Sequence, residues 1–482
     1  MEKLGHAVVV GGSIAGLLTA RTLSATFRRV TVLEADPRPE GASPRKGARQ
    51  GQHVHVMLDT GLRTLEELFP GLTAELRAGG AALVDMGRDV AWFHMGAWKP
   101  RFVSGVDTVL CTRPFLEARV RARVAALPNV ELRYGCAVEE LLADAARTRV
   151  TGVRLKPSAQ GMAEETLAAE LVVDASGRGS RAPKWLEALG YARPELEEVS
   201  VDIAYTSRFY RAPANGGRDW KFLALYARSP GAWRSGFISE VEGGRWMVSL
   251  NGYFGDHAPT DDQGFLDFAR QLPTLDISDA LRDAEPLTAP VTHKVPSSRW
   301  LHYERLARMP DGFVVLGDAV CAFNPFYAQG MTVCGLGARR LGQLVEDQAR
   351  ATPGSLRGLS RRFQRELAEL VRVPWFLATT MDLRYPRTKG KRMPGLGLLH
   401  RALMALVDLT SVDVAAAQRF YEVLHLRRGL RSLLDPALVA SLLAYSARSL
   451  FVPFDQRVNA GRMPPAPARP EEDAPAPLRA SA

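Results

Sequence analysis

Asp318 is a residue whose type and position could support chemistry. It follows Gly317 at the end of an apolar run, residues 313–316, which predicts a short buried strand. A carboxylate at the end of a buried strand is costly unless a polar group hydrogen-bonds to it. A loop with Pro325 and Gly330 comes next, before a long helical pattern whose first backbone N–H groups have no partner inside the helix. These features predict a ligand that offers hydroxyl groups to Asp318 and an electron-rich group to the helix start.

A glycine-rich turn near the N-terminus has the frame of a dinucleotide-binding motif. Gly11 and Gly16 hold the first and third positions of the G-x-G-x-x-G pattern, and Ser13 stands where a second glycine is usual. Serine is small and can donate a hydrogen bond to phosphate, so this interpretation tolerates the departure. Glu34 lies 18 residues after Gly16, where an acid binds a ribose 2′-hydroxyl. An acid at that position favours FAD or NAD over NADP.

Both motifs need regular elements around them, and the sequence predicts those elements. Residues 7–36 have the pattern strand, turn, helix, strand, and residues 113–127 predict an arginine-rich amphipathic helix. From about 199 to 295 the pattern changes to period two, which predicts a second, antiparallel sheet inserted into the first domain. That sheet includes a hairpin with its turn at residues 242–244 and is accompanied by a short helix at 261–272.

The composition predicts a sizeable core and an excess of positive charge. The chain has 482 residues, 46% of them hydrophobic, and a net charge of +10. Five basic residues cluster late, within residues 384–392. A solvated loop, an anionic partner, a lipid surface and a nicotinamide phosphate all fit this cluster, whereas no nucleic-acid-binding module accompanies it. We therefore expect no nucleic-acid partner.

The cysteines and the hydropathy pattern bear on location. The four cysteines show no metal-ligand spacing, which indicates reduced thiols in a cytoplasmic protein. An apolar strand pattern begins within about six residues of the start, which leaves no room for a signal peptide. No apolar run reaches the roughly 18 residues that span a bilayer. We expect no transmembrane segment and only loose peripheral contact with a membrane.

Three motifs together resemble one enzyme family. The glycine-rich turn is followed by LVVDASGRGSR, residues 171–181, a strand that ends in an Asp-x-x-Gly turn at Asp174. The strand that ends on Gly317 and Asp318 comes third. In this order the motifs are similar to the FAD-dependent monooxygenases of the para-hydroxybenzoate hydroxylase fold, over roughly residues 5–345. The resemblance implies an α/β fold with a Rossmann-like FAD-binding domain (GR2-type), an inserted antiparallel β-sheet substrate domain and a C-terminal helical region.

The implied domain boundaries divide the chain into five parts. The FAD-binding domain comprises residues 1–185, including the 45–58 loop, and returns at 299–345 with the Gly-Asp motif. The substrate-binding sheet takes residues 186–298, and a helical region takes 346–455. Residues 456–482 are rich in Pro and Ala and are expected to form a disordered tail.

The same resemblance implies how FAD would be held. Asp318 would hydrogen-bond the ribityl chain, and the backbone of Gly330 and Met331 would face the flavin ring. Arg113 matches a family arginine that contacts FAD, and Val138 lies where backbone groups hold the adenine. The complete set of implied cofactor-binding residues is Gly11, Gly12, Ser13, Ala15, Gly16, Glu34, Arg45, Arg113, Val138, Asp174, Gly317, Asp318, Pro325, Gly330 and Met331.

Residues 45–58, RKGARQGQHVHVML, narrow the resemblance. Arg45 matches a family arginine near the pyrophosphate and ribityl groups. The Arg-Lys-Gly start and the His-x-His pair are similar to flavin-dependent epoxidases of polyether biosynthesis and to related polyketide- and terpene-tailoring monooxygenases. His53 and His55 leave three interpretations open: a metal site on one strand face, a lining of the flavin pocket, or a structural role. No third ligand lies nearby in the sequence, so we expect no metal.

The activity that the resemblance implies is oxygenation. Reduced FAD would activate O2 as a C4a-hydroperoxide, which transfers one oxygen atom to a hydrophobic, natural-product-like substrate by epoxidation or hydroxylation. Tyr327 and Cys321 flank the flavin loop and are candidates for substrate contact, and Tyr327 joins the two histidines as a candidate catalytic residue. The candidate substrate-contacting residues on the inserted sheet are Tyr205, Phe209, Phe222, Trp246 and Tyr253.

Two other functions share features of this sequence. A flavin-dependent reductase of isoprenoid double bonds, similar to the geranylgeranyl reductases, has the same fold, and its product would gain two hydrogens instead of one oxygen. A non-catalytic lipid escort resembling the Rab dissociation inhibitors needs no flavin, but Glu34, Asp318 and the loop at Gly330 argue against it.

The electrons for oxygenation would come from NAD(P)H, either directly or through a separate flavin reductase as partner.

Overall fold

The structure is a computed structural model and describes residues 3–156, 165–213 and 218–468. Its strands, in chain order, are β1 (Leu4–Val10), β2 (Phe27–Glu34), β3 (Ala82–Asp85), β4 (Val90–His94), β5 (Ala97–Trp98), β6 (Asp107–Leu110), β7 (Val130–Tyr134), β8 (Val138–Ala143), β9 (Val150–Leu155), β10 (Thr166–Ala168), β11 (Leu171–Asp174), β12 (Glu195–Arg211), β13 (Phe222–Tyr226), β14 (Arg234–Val241), β15 (Arg245–Gly252), β16 (Glu285–Pro286), β17 (Val291–His302), β18 (Phe313–Val315) and β19 (Cys321–Ala322). Its helices are α1 (Ile14–Leu23), α2 (Asp59–Leu68), α3 (Leu72–Ala78), α4 (Arg113–Ala125), α5 (Ala182–Ala188), α6 (Asp262–Arg270), α7 (Asp276–Leu281), α8 (Gly330–Ala351), α9 (Leu359–Asp382), α10 (Leu396–Leu409), α11 (Val414–Leu424), α12 (Pro436–Arg448) and α13 (Phe454–Arg457).

A parallel sheet in the order β18-β11-β1-β2-β7 forms the centre of the first domain. Residues 7–9 of β1, 171–173 of β11 and 313–315 of the edge strand β18 are fully buried. Burial on both faces explains why these strands are continuous apolar runs without alternation. Because the carboxyl ends of parallel strands meet at one edge, Glu34 and Asp174 lie along the same edge. The predicted strand, turn, helix, strand unit is confirmed.

A second, mostly antiparallel sheet has the order β19-β17-β12-β15-β14-β13-β4-β5. The predicted hairpin is confirmed, since β14 and β15 pair around Gly243 and Gly244, whose φ angles of 77° and 64° suit glycine. β4 pairs in parallel with β13. β4 and β5 come from the chain segment that the sequence analysis assigned to the FAD-binding domain, so this segment contributes to both sheets.

The two faces of the second sheet are covered by different parts of the protein. The inner face carries Tyr205, Phe222 and Tyr253, and it packs on the loop before α8 through Phe326 and on α11 through Tyr421. The outer face is covered by α6, which confirms the predicted short helix, and by α7. The inner face of the second sheet is therefore the face that packs toward the first domain and the C-terminal helices.

The C-terminal helical region is confirmed in α8 to α12. Part of the segment assigned to a disordered tail packs on the second sheet. The backbone N–H of Trp98 donates to the carbonyl oxygen of Asn459 over 2.8 Å, and the backbone N–H of Ala466 donates to the carboxylate of Asp219 over 2.6 Å. Residues 469–482 of that predicted tail lie outside the described residues. No helix within the described ranges has the length and apolar character needed to cross a bilayer.

Candidate functional site

The glycine-rich turn between β1 and α1 leaves no room for side chains. A Cβ at Gly16 would lie 1.8 Å from the Gly11 carbonyl oxygen, and Gly11 has a φ angle of 106°. The Gly12 N–H donates to Glu34 Oε2 over 3.0 Å. α1 begins after Ser13, whose side chain does not cap the helix. The first N–H groups of α1 are therefore available to an anion.

Arg45, Arg113 and Glu117 form a buried ionic cluster at the start of α1. Arg45 pairs with Glu34 over 2.7 Å and with Glu117 over 2.6 Å. Ser13 Oγ donates to Glu117 over 2.8 Å and accepts from Arg113 over 3.0 Å. Burial favours the neutral form of Glu117, but Arg113 and Arg45 lower its pKa overall. Glu117 binds both predicted arginines, Arg45 and Arg113, and Ser13 of the glycine-rich turn. Sequence reasoning missed Glu117.

The carboxylate of Asp318 accepts no hydrogen bond from any residue that the structure describes. It sits in the 3-10 turn Gly317–Ala319 directly after β18, and a Cβ at Gly330 would lie 3.9 Å from Asp318 Oδ1. Burial raises the pKa of Asp318, while Arg178 and Arg113 act in the opposite direction. Asp318 is half-buried, and a carboxylate removed from water without a hydrogen-bond donor is costly. The site therefore suits a ligand that donates hydroxyl hydrogen bonds beside the start of α8.

A cavity of about 120 Å³ opens beside Asp318. Its cationic lining consists of Arg178, Lys184, Arg193 and Arg299. Arg178 follows the Asp-x-x-Gly turn directly, so the second and third sequence motifs share this cavity. Positive charge around a carboxylate suits a ligand that carries both phosphate and hydroxyl groups.

Four other predicted cofactor residues, Ala15, Val138, Asp174 and Gly317, lie in well-defined local environments. Asp174 accepts a hydrogen bond from Ser180 Oγ over 2.5 Å, so its carboxylate shapes its own turn. Val138 is buried at the start of β8. A Cβ at Gly317 would lie 3.0 Å from Ala15 Cβ, which explains why glycine stands where the two motifs touch.

The loop before α8 is tied to α9 by a buried hydrogen-bond network. Tyr327 donates to Asp382 Oδ1 over 2.8 Å, and Asn324 Nδ2 donates to the same oxygen over 3.1 Å. Asn324 also accepts from the Tyr205 hydroxyl over 3.2 Å and donates to the Tyr253 hydroxyl over 3.3 Å. Burial raises the pKa of Asp382 to about 7, although both hydrogen bonds act against this. A carboxyl group that changes charge near neutral pH thus lies against the loop, and no local sequence signal marked it.

The 45–58 segment lies against the inner face of the second sheet. His53 Nδ1 is hydrogen-bonded with Ser207 Oγ over 2.8 Å, and His55 Nδ1 donates to the His53 carbonyl over 2.9 Å. Burial lowers the pKa of His53 to about 3 and that of His55 to about 4, so both are neutral at pH 7. Among the described residues, no three potential ligands gather to hold a metal ion.

The five candidate substrate residues do not share one face. Tyr205, Phe222 and Tyr253 lie together on the inner face. Trp246 lies on the outer face, in the cluster under α6 and α7, and therefore on the side of the sheet opposite to these three residues. Phe209 lies near the end of β12, where an arginine guanidinium stacks over its ring at 4.8 Å, outside the inner cluster.

The buried polar atoms on the inner face that have no hydrogen-bond partner among the described residues include Trp92 Nε1 and His94 Nδ1. Their rings stack with centroids 4.3 Å apart, and Tyr226 connects them to Phe326 of the loop before α8 through a contact of 4.5 Å. Unpaired buried polar atoms in a native fold call for an explanation such as a ligand. Sequence reasoning missed both residues, because β4 was assigned to the other sheet's domain.

Comparison with known proteins identifies the fold. Residues 9–73 match the model of an NAD(P)-binding Rossmann-like domain. The p-nitrophenol 4-monooxygenase PnpA of Pseudomonas putida is 19% identical, with a TM-score of 0.61, over 89% of this chain and 100% of that one. The probable FAD-dependent monooxygenase PqsL of Pseudomonas aeruginosa is 18% identical, with a TM-score of 0.59, over 79% and 97%. The chain has the fold of the FAD-dependent monooxygenases, as the sequence motifs predict.

One relative in sequence decides the family. Protein Rv3254 of Mycobacterium tuberculosis is 32% identical over 396 residues, 81% of this chain and 82% of that protein. This chain belongs to the Rv3254 family. The matched length is greater than that of the Rossmann-like unit, so the Rv3254 family shares more than a nucleotide-binding module.

Proposed function

We propose that this protein is an FAD-dependent monooxygenase that transfers one oxygen atom from O2 to a hydrophobic substrate. The observation that carries the proposal is Asp318, a half-buried carboxylate that accepts no hydrogen bond from the described residues and lies between a cationic cavity and the start of α8. A ribityl chain would satisfy Asp318, and bound FAD would supply the oxygen activation.

Different residues of the chain would bind different parts of the cofactor. Glu34 would bind a ribose hydroxyl, and the N–H groups at the start of α1 with Arg45 and Arg113 would bind the pyrophosphate. The free N–H groups at the start of α8 would stabilise negative charge on the flavin ring. Glu117 holds the two arginines at this position.

The inner face of the second sheet would hold the substrate against the loop before α8. Its aromatic residues exclude water, and Trp92 and His94 offer unpaired nitrogen atoms to a polar group of the substrate. We propose a natural-product-like substrate that is epoxidised or hydroxylated in the cytoplasm. NAD(P)H would supply the electrons, directly or through a separate flavin reductase.

Two measurements test this function. Chromatography of the cofactor released from denatured protein should show FAD, and finding FMN, or no flavin after reconstitution with FAD, would contradict the proposal. Mass spectrometry of metabolites from cells with and without the gene should show a product heavier by one oxygen atom. A gain of two hydrogens would instead support a reductase of isoprenoid double bonds.

A further inference from the structure

The outward side of α12 is apolar along its length. Its exposed residues recur at the helical period and are Ala437, Ala440, Leu443, Ala444, Ala447 and Arg448. Leu450 and Phe451 continue this surface and are 78% and 85% exposed. Surface helices usually turn polar residues outward. We call α12 with its flanks, residues 431–451, the apolar stripe.

The fully exposed charges on the apolar stripe are positive, whereas its one carboxylate, Asp435, is half-buried at the start of α12. Residues 436–454 contain no aspartate or glutamate. Arg448 lies within the exposed face, and Arg431 lies one 3-10 turn before Leu434, which is 73% exposed. Neither arginine makes a side-chain hydrogen bond or an ion pair with any residue in the described ranges. Both cations are therefore free to meet an anionic partner.

The basic cluster at 384–392 offers less charge than its sequence indicates. Arg384 donates to the hydroxyl and carbonyl oxygens of Ser229, and Arg392 donates to carbonyl oxygens of its own loop. Arg387 stacks over the ring of Phe254 at 4.8 Å. These contacts hold Arg384, Arg387 and Arg392 to the protein and leave Lys389 and Lys391 of the cluster exposed.

We propose that the apolar stripe docks the protein on an anionic lipid surface. Exposed leucine and phenylalanine side chains would enter the interface, and Arg431 and Arg448 would meet the anionic head groups. A second copy of the chain is a poorer partner, because a two-fold contact would bring the arginines of two stripes together, and the one carboxylate of the stripe, Asp435, is half-buried and already pairs with Arg419 over 3.5 Å. This inference does not depend on the oxygenase activity.

Vesicle co-sedimentation tests the proposal with the full-length protein. We expect binding to phosphatidylcholine vesicles that contain phosphatidylserine, weaker binding at high salt, and little binding to phosphatidylcholine alone. The triple variant L443S/L450S/F451S should bind roughly tenfold more weakly. Arg431→Gln with Arg448→Gln should remove the preference for phosphatidylserine.

The matched control is Leu275→Ser, which removes a leucine that is 55% exposed on another part of the surface. It should leave vesicle binding unchanged. Unchanged circular dichroism of the triple variant would show that it folds. The proposal is overturned if wild-type protein ignores anionic vesicles, if the triple variant binds them as well as wild type, or if light scattering shows a dimer that the triple variant disrupts.

Discussion

The hydroxyl of Tyr327 donates to Asp382 Oδ1 over 2.8 Å and joins the loop before α8 to the C-terminal end of α9. Asn324 of the same loop is the second donor, and the described part of the chain offers Asp382 no ion pair. A buried carboxylate without a countercharge is costly. Because Asp382 lies against the candidate flavin loop, the free-energy cost of burying its carboxylate indicates a functional role.

Asp382→Asn should stabilise the protein more at pH 8 than at pH 5. Burial raises the pKa of Asp382 to about 7, above the roughly 3.9 of an unfolded aspartate. Between these values the folded state holds a proton that the unfolded state releases, so the stability of the wild type falls as pH rises through this window. Thermal unfolding at both pH values should show a difference that grows by roughly 2–3 kcal/mol in the variant's favour. The exposed Asp283→Asn is the control, and an equal effect at both pH values would contradict the prediction.

Asp318→Ala should lower the affinity for FAD roughly 10- to 100-fold, the value of a charge-assisted hydrogen bond. Because Asp318 has no partner among the described residues, the same change should not destabilise the FAD-free protein. Flavin absorbance per protein measures the first effect and thermal unfolding without FAD measures the second. Unchanged flavin content would place the ribityl chain elsewhere, and Asp283→Ala controls for loss of a carboxylate.

Glu117→Gln should lower the free energy of unfolding by about 3–5 kcal/mol, as expected when one partner of a buried ion pair is removed. Arg45, Arg113 and Arg121 all pair with Glu117. Urea unfolding measures the loss. Glu187→Gln is the control, because Glu187 is an exposed residue whose pairing with Arg193 is long, at 3.9 Å, and surface pairs contribute roughly 0–1 kcal/mol. Similar losses in the two variants would show that the cluster does not organise the start of α1.

Trp92→Phe should reduce formation of the oxygenated product about 2- to 10-fold without changing FAD content. This factor corresponds to the free energy of one neutral hydrogen bond to the substrate. The change removes the unpaired Nε1–H from the inner face and keeps an aromatic ring there. Trp246→Phe is the matched change on the outer face and should leave product formation unaltered. Product measured in cells that express each variant decides between the faces. A loss confined to Trp246→Phe would contradict the inner-face assignment.

Trp246 lies on the opposite face from Tyr205, Phe222 and Tyr253, and this difference shows where sequence patterns stop being informative. Alternation along a strand separates two faces, but it identifies the core face only when the other face is polar. Residues 246–252 of β15 are buried throughout, because α6 and α7 cover the side that does not face the first domain. Trp246 could therefore be assigned to a strand from the sequence but not to a face of the sheet.

The sequence by itself determined the parts of this protein whose physics is local. Close approach of the backbone requires the glycines at 11 and 16. The ends of strands β2 and β18 fix the positions of Glu34 and of the Gly-Asp step. Neighbours along the chain decide both the glycine positions and the strand ends. Only the tertiary structure decided the roles of Asp382 and Glu117. Their partners Tyr327 and Ser13 lie 55 and 104 residues away in sequence. A carboxylate on an amphipathic helix looks the same in sequence whether it is solvated or buried, because burial depends on which other elements pack against that helix.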